Sequence, residues 1–328
     1  MSAAVHPRAA LFEAGDAPPD LPVCDHYAGV EPRMTKSLQL QVELGPIFDV
    51  TLDNEDGAPV GGEVDHAHLI VSLLAGLGNR HGRVGVRLLP VAHPRFAEVA
   101  AIVLASPRAP AYLMLPKPEG LTCVQRAASL IDDLGGAKVP LHALIETHGA
   151  LREAFAIAAD PRIQSLSFGL MDFVSAHRGA IPQSAMGAQG QFEHPLVLRA
   201  KLEIAAACHA FAKTPSHCVV TEFKDIQALQ TAAETACRSL GYTRMWSIHP
   251  AQIRTIVDAF SPTVAEVDQA IEVISAAQAA NWAPIRHRDT LHDRASYRYF
   301  WQVIERAQRT AVAGSPPLPA ELRLAWFG

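Results

Sequence analysis

The sequence predicts an α/β protein in which eight parallel β-strands, each followed by an α-helix, close into a barrel with a helical extension at the C-terminus. Short apolar runs rich in β-branched residues alternate with longer segments of helical periodicity along most of the 328 residues. Gly and Pro cluster at the junctions between these segments, as loops require. An open parallel sheet usually carries a glycine-rich phosphate turn after its first strand, but this chain reads DHYAGVEPRM there. The pattern therefore favours a (β/α)8 TIM barrel.

The predicted strands and helices follow one another in regular alternation. The strands are 21–28, 47–53, 84–90, 111–115, 141–146, 163–168, 216–220 and 244–248. The helices between and after them include 67–77, 95–104, 123–134, 151–159, 196–212, 226–239 and 253–260. We assign the barrel domain to residues 1–280.

Two segments fall outside the repeating pattern. Residues 179–194 are rich in Gly, Gln and Pro and follow the sixth strand, where a loop of this length is typical of a lid or a binding loop. Residues 281–328 carry one good helical pattern, at 295–313, followed by a proline-rich stretch. We interpret residues 281–328 as a C-terminal helical arm that packs on the barrel or on a neighbouring subunit.

Composition excludes several classes of protein. Apolar residues make up 49 % and charged residues 19 % of the chain, which is typical of a folded globular protein. The net charge of −5 and the absence of long basic runs argue against nucleic acid as a partner. No apolar run is long enough for a membrane span or a signal peptide. The five cysteines form no CxxC pair, so a reducing compartment is expected, and we predict a cytoplasmic protein.

The chemistry of a barrel lies at the carboxyl ends of its strands, and six of the eight strand ends here carry polar groups. Glu146 and Asp172 end adjacent strands, so their carboxylates are expected to converge. Two such carboxylates repel each other unless a proton or a cation lies between them. A hard divalent cation with oxygen ligands is one solution. The alternative is that each acid caps the helix that follows it.

Arg87 is a single basic group that points into this acidic mouth. It can neutralise the neighbouring acids as a structural ion pair. Alternatively, its planar guanidinium can bind a substrate carboxylate or carbonyl oxygen with two parallel hydrogen bonds. The sequence by itself leaves both interpretations open.

Seven motifs follow one another along about residues 49–270. They are DVTLDNEDGAP, VGVRL, MLPKPEG, LIETHGAL, SLSFGLMDF, LGYTRMWSIHPAQI and AFSPTVAEVDQA, in that order. Each motif is weak alone, but together in order they are specific. With these motifs the chain resembles the citrate lyase β-subunit-like branch of the HpcH/HpaI aldolase superfamily, which includes malyl-CoA lyases.

The resemblance implies a magnesium site formed by Glu146 and Asp172, with Mn²⁺ as the alternative ion. Arg87 would hold the substrate carboxylate or thioester carbonyl. Glu55 and Asp56 would belong to the acidic groups that order metal-bound water.

The resemblance also implies a role for the turn after strand six and for the C-terminal segment. Backbone N–H groups around Gly169, Leu170 and Met171 would receive the substrate carboxylate. In some relatives an aspartate from the C-terminal segment of a neighbouring subunit takes part in proton transfer, and Asp293 is the best match to it. Trimers and hexamers are common in the family, so a homo-oligomer is expected.

The implied reaction is the Mg²⁺-dependent cleavage, or the reverse formation, of a carbon–carbon bond in a β-hydroxy acyl-CoA such as malyl-, citramalyl- or citryl-CoA, by way of an enolate. The expected ligand is a small 2-oxo or 2-hydroxy acid, held as a CoA thioester. The first four strands depart from the usual pattern, with CDHYAGVEP in strand one, Leu88-Leu89 after Arg87, and Gly120 after KPE. Two alternatives therefore stay open: a CoA-independent 2-oxo-acid aldolase, and a non-catalytic barrel subunit that binds a 2-oxo acid and metal.

Overall fold

The computed structural model describes residues 5–13, 19–311 and 318–328. Its eight parallel strands form a closed barrel in sequence order, and β8 pairs with β1. The strands are β1 (Cys24–Ala28), β2 (Phe48–Asp53), β3 (Val84–Arg87), β4 (Leu113–Leu115), β5 (Leu141–Ile145), β6 (Ile163–Phe168), β7 (Thr214–His217) and β8 (Arg244–Ser247). The predicted (β/α)8 TIM barrel is confirmed.

The described residues form fifteen α-helices, of which the first precedes β1, the last three follow the barrel, and the others alternate with the barrel strands. They are α1 (Pro7–Leu11), α2 (Glu31–Leu44), α3 (Glu63–Ala75), α4 (Phe96–Leu104), α5 (Leu121–Ile131), α6 (His148–Arg152), α7 (Ala154–Ala159), α8 (Leu170–Ser175), α9 (Gly190–Glu193), α10 (Pro195–Ala210), α11 (Ile226–Arg238), α12 (Pro250–Phe260), α13 (Val264–Ala279), α14 (Arg294–Thr310) and α15 (Ala320–Phe327). The predicted helix 295–313 corresponds to α14, and residues 312–313 lie outside the described residues.

Helix α2 is absent from the sequence prediction, and its buried face explains why. That face consists of Met34, Ser37, Leu38 and Gln41, so half of it is polar. The Gln41 amide donates to the carbonyls of Phe48 and Arg83 at 2.9 and 3.2 Å. Hydrogen bonds replace part of the apolar periodicity on which a sequence prediction depends.

The segment 179–194 is more ordered in secondary structure than its composition indicated. It contains a 3₁₀ turn over Gln183–Met186 and the short helix α9. Gln191 in α9 is fully buried and accepts a hydrogen bond from the equally buried Lys201 of α10 at 2.7 Å. This contact fixes the end of the segment against the outside of the barrel.

Deep inside the barrel lies a buried cluster of charges. Arg244, the first residue of β8, is 3.1 Å from Asp25 of β1 and 2.7 Å from Asp49 of β2. Tyr112 donates to Asp25 at 3.1 Å and stacks on His142, with ring centroids 3.9 Å apart. Barrel interiors are usually filled by branched apolar side chains, so this polar layer is a departure from the common pattern.

The described residues form two compact units. One unit is the barrel, Pro19–Phe260, and the other comprises the described residues of Met1–Pro18 and Ser261–Gly328. The boundary lies at Phe260/Ser261 and not at the predicted 280/281. The reason is that Val267, Val273 and Ile274 of α13 share one apolar core with residues of α14. The second unit also contains a short antiparallel hairpin, β9 (Ile285–His287) and β10 (Thr290–His292). Packing of residues 281–328 on a neighbouring subunit stays a prediction.

No helix in the described part of the chain has the length and apolarity needed to cross a bilayer. The five cysteines are all free thiols.

Candidate active site

The functional end of the barrel is marked by an ion network around Arg87, the last residue of β3. Arg87 is only 5 % exposed. Its Nε and Nη2 donate to the two carboxylate oxygens of Asp53 at 2.6 and 2.8 Å. Nη2 also donates to Asp56 at 2.9 Å, and Nη1 lies 3.1 Å from a carboxylate oxygen of Glu55. One guanidinium therefore meets three carboxylates, and the mouth carries an excess of negative charge.

Asp53 holds the guanidinium in this position. It is the register partner of Arg87 in the parallel pair β2–β3, so both side chains point to the same side of the sheet. The Asp53 carboxylate accepts from the backbone N–H groups of Glu55 and Gly57 at 2.9 and 2.6 Å and from the Tyr27 hydroxyl at 2.5 Å. Burial favours the neutral acid, but the bonds from Arg87 outweigh it, so the pKa of Asp53 is lowered.

Lys117 joins this network to the predicted metal ligands. Its Nζ donates to Glu55 at 2.7 Å and lies 3.7 Å from the Asp172 carboxylate. Its backbone N–H donates to the Glu146 carboxylate at 2.7 Å, and the residue adopts a positive φ of 47°. Burial alone would lower the pKa of Lys117, but the bond to Glu55 and the surrounding acids raise it. Lys117 therefore remains a cation between the two groups of carboxylates.

Glu146 and Asp172 both lie beside Lys117, Glu146 at its backbone N–H and Asp172 3.7 Å from its Nζ, and their role as metal ligands stays a prediction. Glu146 follows β5 directly and is 2 % exposed, whereas the Asp172 side chain, in the first turn of α8, is 43 % exposed. Burial, and after it the charge of Asp172, raise the pKa of Glu146 to about 8. A charge on Asp172 therefore disfavours ionisation of Glu146, and a bound cation would relieve this repulsion.

Gly169 makes this pairing sterically feasible. A Cβ atom at residue 169 would lie 2.3 Å from Glu146 Oε2 and 2.6 Å from Glu146 Cβ. The absence of a side chain lets the turn before α8 pass directly over Glu146. The Gly169 N–H itself donates to the Ile145 carbonyl at 3.0 Å, so it is already engaged by the sheet. Of the predicted carboxylate-binding amides, those of Leu170 and Met171, in the first turn of α8, are the better placed.

The donor set fits magnesium. Glu146 and Asp172 offer carboxylate oxygens, which Mg²⁺ prefers, and one or two carboxylates with water and substrate complete its usual octahedron. The described residues contain no group of three or more His, Cys, Asp or Glu side chains able to hold a metal.

Asp293 lies in the other compact unit, where it begins α14. Its carboxylate accepts from the backbone N–H groups of Ala295 and Ser296 at 3.0 and 3.4 Å, and the Ser296 hydroxyl accepts from the Asp293 N–H at 3.0 Å. This reciprocal arrangement is a helix cap. The predicted role of Asp293 in proton transfer stays a prediction.

The sequence prediction gave no role to three residues of the network: Tyr27, Asp53 and Lys117. Asp53 is the last residue of β2, and Tyr27 is the last but one of β1. Lys117 was visible in the motif MLPKPEG, but its importance depends on a backbone turn that brings its N–H and its Nζ to different carboxylates.

Comparisons with known proteins identify relatives of this chain. A crystal structure of a citrate lyase from Burkholderia xenovorans LB400 is 52 % identical, covers 99 % of this chain and 100 % of its own, and superposes with a TM-score of 0.83. An L-malyl-CoA/β-methylmalyl-CoA lyase from Rhodobacter capsulatus is 25 % identical over 221 residues, which are 61 % of this chain and 68 % of that protein.

A more distant structure shares the fold. The protein CitE from Mycobacterium tuberculosis, crystallised with magnesium, acetoacetate and coenzyme A, is 20 % identical with a TM-score of 0.67, over 88 % of this chain and 98 % of its own. No protein-family model matches the chain. The high identity to the Burkholderia citrate lyase over the full length, together with the barrel and the paired carboxylates at its mouth, confirms the resemblance: the chain belongs to the citrate lyase β-subunit-like family of carbon–carbon lyases.

Proposed function

We propose that the protein is a Mg²⁺-dependent carbon–carbon lyase that cleaves, or forms in reverse, a β-hydroxy acyl-CoA of the malyl, citramalyl or citryl type. The observation that carries the proposal is the pair Glu146 and Asp172. The two carboxylates repel each other and offer oxygen ligands, so a hard cation would stabilise them at the mouth of the barrel, beside Arg87 and Lys117.

The names and ligands of relatives support this reaction class. The Rhodobacter relative is a malyl-CoA/β-methylmalyl-CoA lyase, and the Mycobacterium protein of the same fold binds magnesium, acetoacetate and coenzyme A. We extend these properties to the present chain as a proposal, with Mn²⁺ as an ion that the same oxygen ligands accept.

In the proposed mechanism Glu146 and Asp172 would hold the metal ion, which would supply Lewis-acid positive charge to the acid half of the substrate. The amides of Leu170 and Met171 donate to the substrate carboxylate, because they lie in the first turn of α8, where amides lack partners within the helix.

The remaining residues of the network manage charge and protons. As the carbon–carbon bond breaks, the hydroxyl loses its proton and the thioester half becomes an enolate. Arg87, held by Asp53, meets the negative charge that develops on the thioester oxygen. Glu55 and Asp56 position the Arg87 and Lys117 cations. We propose that Asp293 of a neighbouring subunit exchanges the proton at the enolate carbon.

The finer assignments belong to the same proposal. We propose that the protein acts in the cytoplasm as a homo-oligomer, a trimer or a hexamer, because Asp293 can serve a neighbouring active site only in an assembly.

The decisive experiment is a cleavage assay with malyl-, citramalyl- and citryl-CoA, run in Mg²⁺ and in EDTA. Release of both a 2-oxo acid and the shortened acyl-CoA, lost in EDTA, is expected. Glu146→Gln and Asp172→Asn are each expected to abolish the activity while leaving the fold intact. The matched control is Glu98→Gln on α4, which removes a half-exposed carboxylate from the outside of the barrel.

The other outcomes separate the alternatives. Cleavage of free hydroxy-oxo acids without any thioester requirement would identify a CoA-independent aldolase. Free CoA without a 2-oxo acid would indicate thioester hydrolysis. Metal-dependent binding of oxaloacetate or glyoxylate without turnover would identify a non-catalytic subunit. Full activity in either carboxylate variant would refute the metal assignment.

A further inference from the structure

An open groove of about 630 Å³ lies beside the proposed metal ligand Asp172. One wall is formed by α8 and the other by the 3₁₀ turn Gln183–Met186 with the residues just before it. The side chains on which the inference depends are Met171, Asp172, Val174, Ile181, Pro182 and Met186.

The groove combines one acid with a mainly apolar lining. Besides the carboxylate of Asp172, it is lined by five aliphatic, proline or methionine side chains, by the polar side chains of Ser175 and Gln183, and by Gly179. Pockets of roughly 300–1,000 Å³ with mainly apolar walls are typical binding sites for small molecules. Methionine side chains adapt to ligands of different shape because they are unbranched and flexible.

The outer wall of the groove is anchored to the barrel. At the end of the same segment, the buried Gln191 accepts from Lys201 at 2.7 Å, and the Ala188 N–H donates to Glu222 at 2.9 Å. The ammonium of Lys201 also lies 3.9 Å from the centre of the Phe192 ring. These contacts hold residues 188–192 and keep the 3₁₀ turn that precedes them close to α8.

We propose that this groove binds an alkyl substituent on the 2-oxo acid half of the substrate. The inference rests on the proposed function, because it places the carboxylate and the 2-oxo group at the metal held by Asp172. The carbon that bears the 2-oxo oxygen also bears one further substituent: hydrogen in glyoxylate, methyl in pyruvate, and CH₂–COO⁻ in oxaloacetate. An apolar groove that begins at Asp172 accepts a longer alkyl group at that position and disfavours a second carboxylate, which would lie among apolar side chains near an acid.

The preferred substrates are then thioesters in which the hydroxyl-bearing carbon carries an alkyl chain of several carbons. Cleavage breaks the bond between that carbon and the carbon next to the thioester. The hydroxyl proton is lost, the hydroxyl-bearing carbon becomes the carbonyl of a longer 2-oxo acid, and the carbon next to the thioester gains a proton in place of the broken bond.

The test is a series of Mg²⁺-dependent titrations with pyruvate, 2-oxobutanoate, 2-oxopentanoate, 2-oxohexanoate and oxaloacetate, followed by calorimetry. Affinity is expected to increase about fourfold with each added CH₂ that enters the groove. Ser175→Trp fills the groove from an exposed position on its α8 wall and is expected to remove this gradient while leaving pyruvate binding within about twofold, because pyruvate carries no chain long enough to reach the indole.

Two further variants keep the test decisive. Gln183→Trp fills the groove from its other wall at an exposed position and replaces Ser175→Trp if that variant does not fold. Ala176→Trp places the same side chain on the neighbouring exposed residue, which does not line the groove, and is expected to leave the gradient unchanged.

Failure of this inference is distinct from failure of the proposed function. Mg²⁺-dependent pyruvate binding with no chain-length gradient, or with a gradient that both groove-filling variants retain, would overturn the groove assignment alone. Tighter binding of oxaloacetate than of 2-oxopentanoate would also overturn it. Absence of any Mg²⁺-dependent binding of 2-oxo acids would instead overturn the proposed function.

Discussion

The substitution Gly169→Ala adds one methyl group at the point where the turn before α8 crosses Glu146. The backbone of Gly169 has a φ of −91°, which alanine adopts without strain, so the change tests packing and not backbone conformation. The new Cβ would lie 2.6 Å from Glu146 Cβ and 2.3 Å from Glu146 Oε2.

The size of the effect follows from these two distances. Rotation of the Glu146 side chain can relieve the contact with Oε2, but Cβ is attached directly to the backbone after β5. Carbon–carbon contacts are normally about 3.5–4.0 Å, so the turn and the strand end must separate by about 1 Å. Overpacking of this kind costs about 1–3 kcal/mol of folding stability. Because Asp172 moves with the turn, its distance from Glu146 changes, and a displacement of about 1 Å at a reacting centre costs roughly 100-fold in rate.

The measurements are the Mg²⁺ affinity by calorimetry, kcat with the best thioester, and unfolding in urea. We expect Gly169→Ala to unfold cooperatively with a modest loss of stability, to bind Mg²⁺ much more weakly and to lose most of its kcat. Gly62→Ala is the matched control, because Gly62 also precedes a barrel helix with a negative φ of −104°, and its added Cβ would meet no atom closer than 3.3 Å. Wild-type Mg²⁺ affinity in Gly169→Ala would refute the assignment of the ion to Glu146 and Asp172.

Three further substitutions test the surrounding charges. Arg87→Lys is expected to lower kcat/KM at least 100-fold, because an ammonium cannot reproduce the paired bonds to Asp53; wild-type turnover would make Arg87 a structural ion pair only. Lys117→Met is expected to lower kcat but to tighten Mg²⁺ binding a few-fold in calorimetry, because a cation 3.7 Å from the Asp172 carboxylate competes with the metal; weaker binding would contradict this. Burial lowers the pKa of Lys201 from 10.5 to about 8. Above pH 8 the folded state loses this proton while the unfolded state keeps it, so the free energy of unfolding gains roughly 1–2 kcal/mol between pH 8 and 9.5 from this group. Lys201→Met should lack that gain in urea titrations, and parallel pH profiles of the two proteins would show that Lys201 stays charged when folded.

The barrel was predictable because its signal is repeated eight times. Alternation of β-rich and helical segments survives errors at individual boundaries, such as β7, which occupies Thr214–His217 and not 216–220. The strand includes Pro215, a residue that usually argues against a strand interior. Helix α2 was missed for a different reason, since hydrogen bonds from Gln41 replace apolar contacts on its buried face.

Within the site, the predictable residues were charged residues at or shortly after the ends of strands. Arg87 ends β3, Glu146 follows β5 directly, and Asp172 lies four residues after β6, in the first turn of α8. The role of Lys117 was not accessible in the same way, because it depends on a turn with positive φ that the residue type does not favour. Gly169 was predicted to donate its backbone N–H to the substrate carboxylate. In the structure this N–H donates to the Ile145 carbonyl, and the absence of a Cβ atom lets the turn pass close to Glu146.

Two clusters of buried charge lie in the same barrel, and their composition separates the reactive one from the structural one. In the interior cluster one guanidinium, Arg244, is in contact with two carboxylates, Asp25 and Asp49, and the three side chains are each about 1 % exposed, which leaves no room for a ligand.

At the mouth the carboxylates outnumber the cations by three. The five acids are Asp53, Glu55, Asp56, Glu146 and Asp172, and the two bases are Arg87 and Lys117. Side chains at the mouth are also partly exposed, with 58 % for Asp56, so ions and substrates can enter. An unbalanced and accessible set of acids gains from a divalent cation, and the same ion then provides the charge that an anionic 2-oxo acid requires.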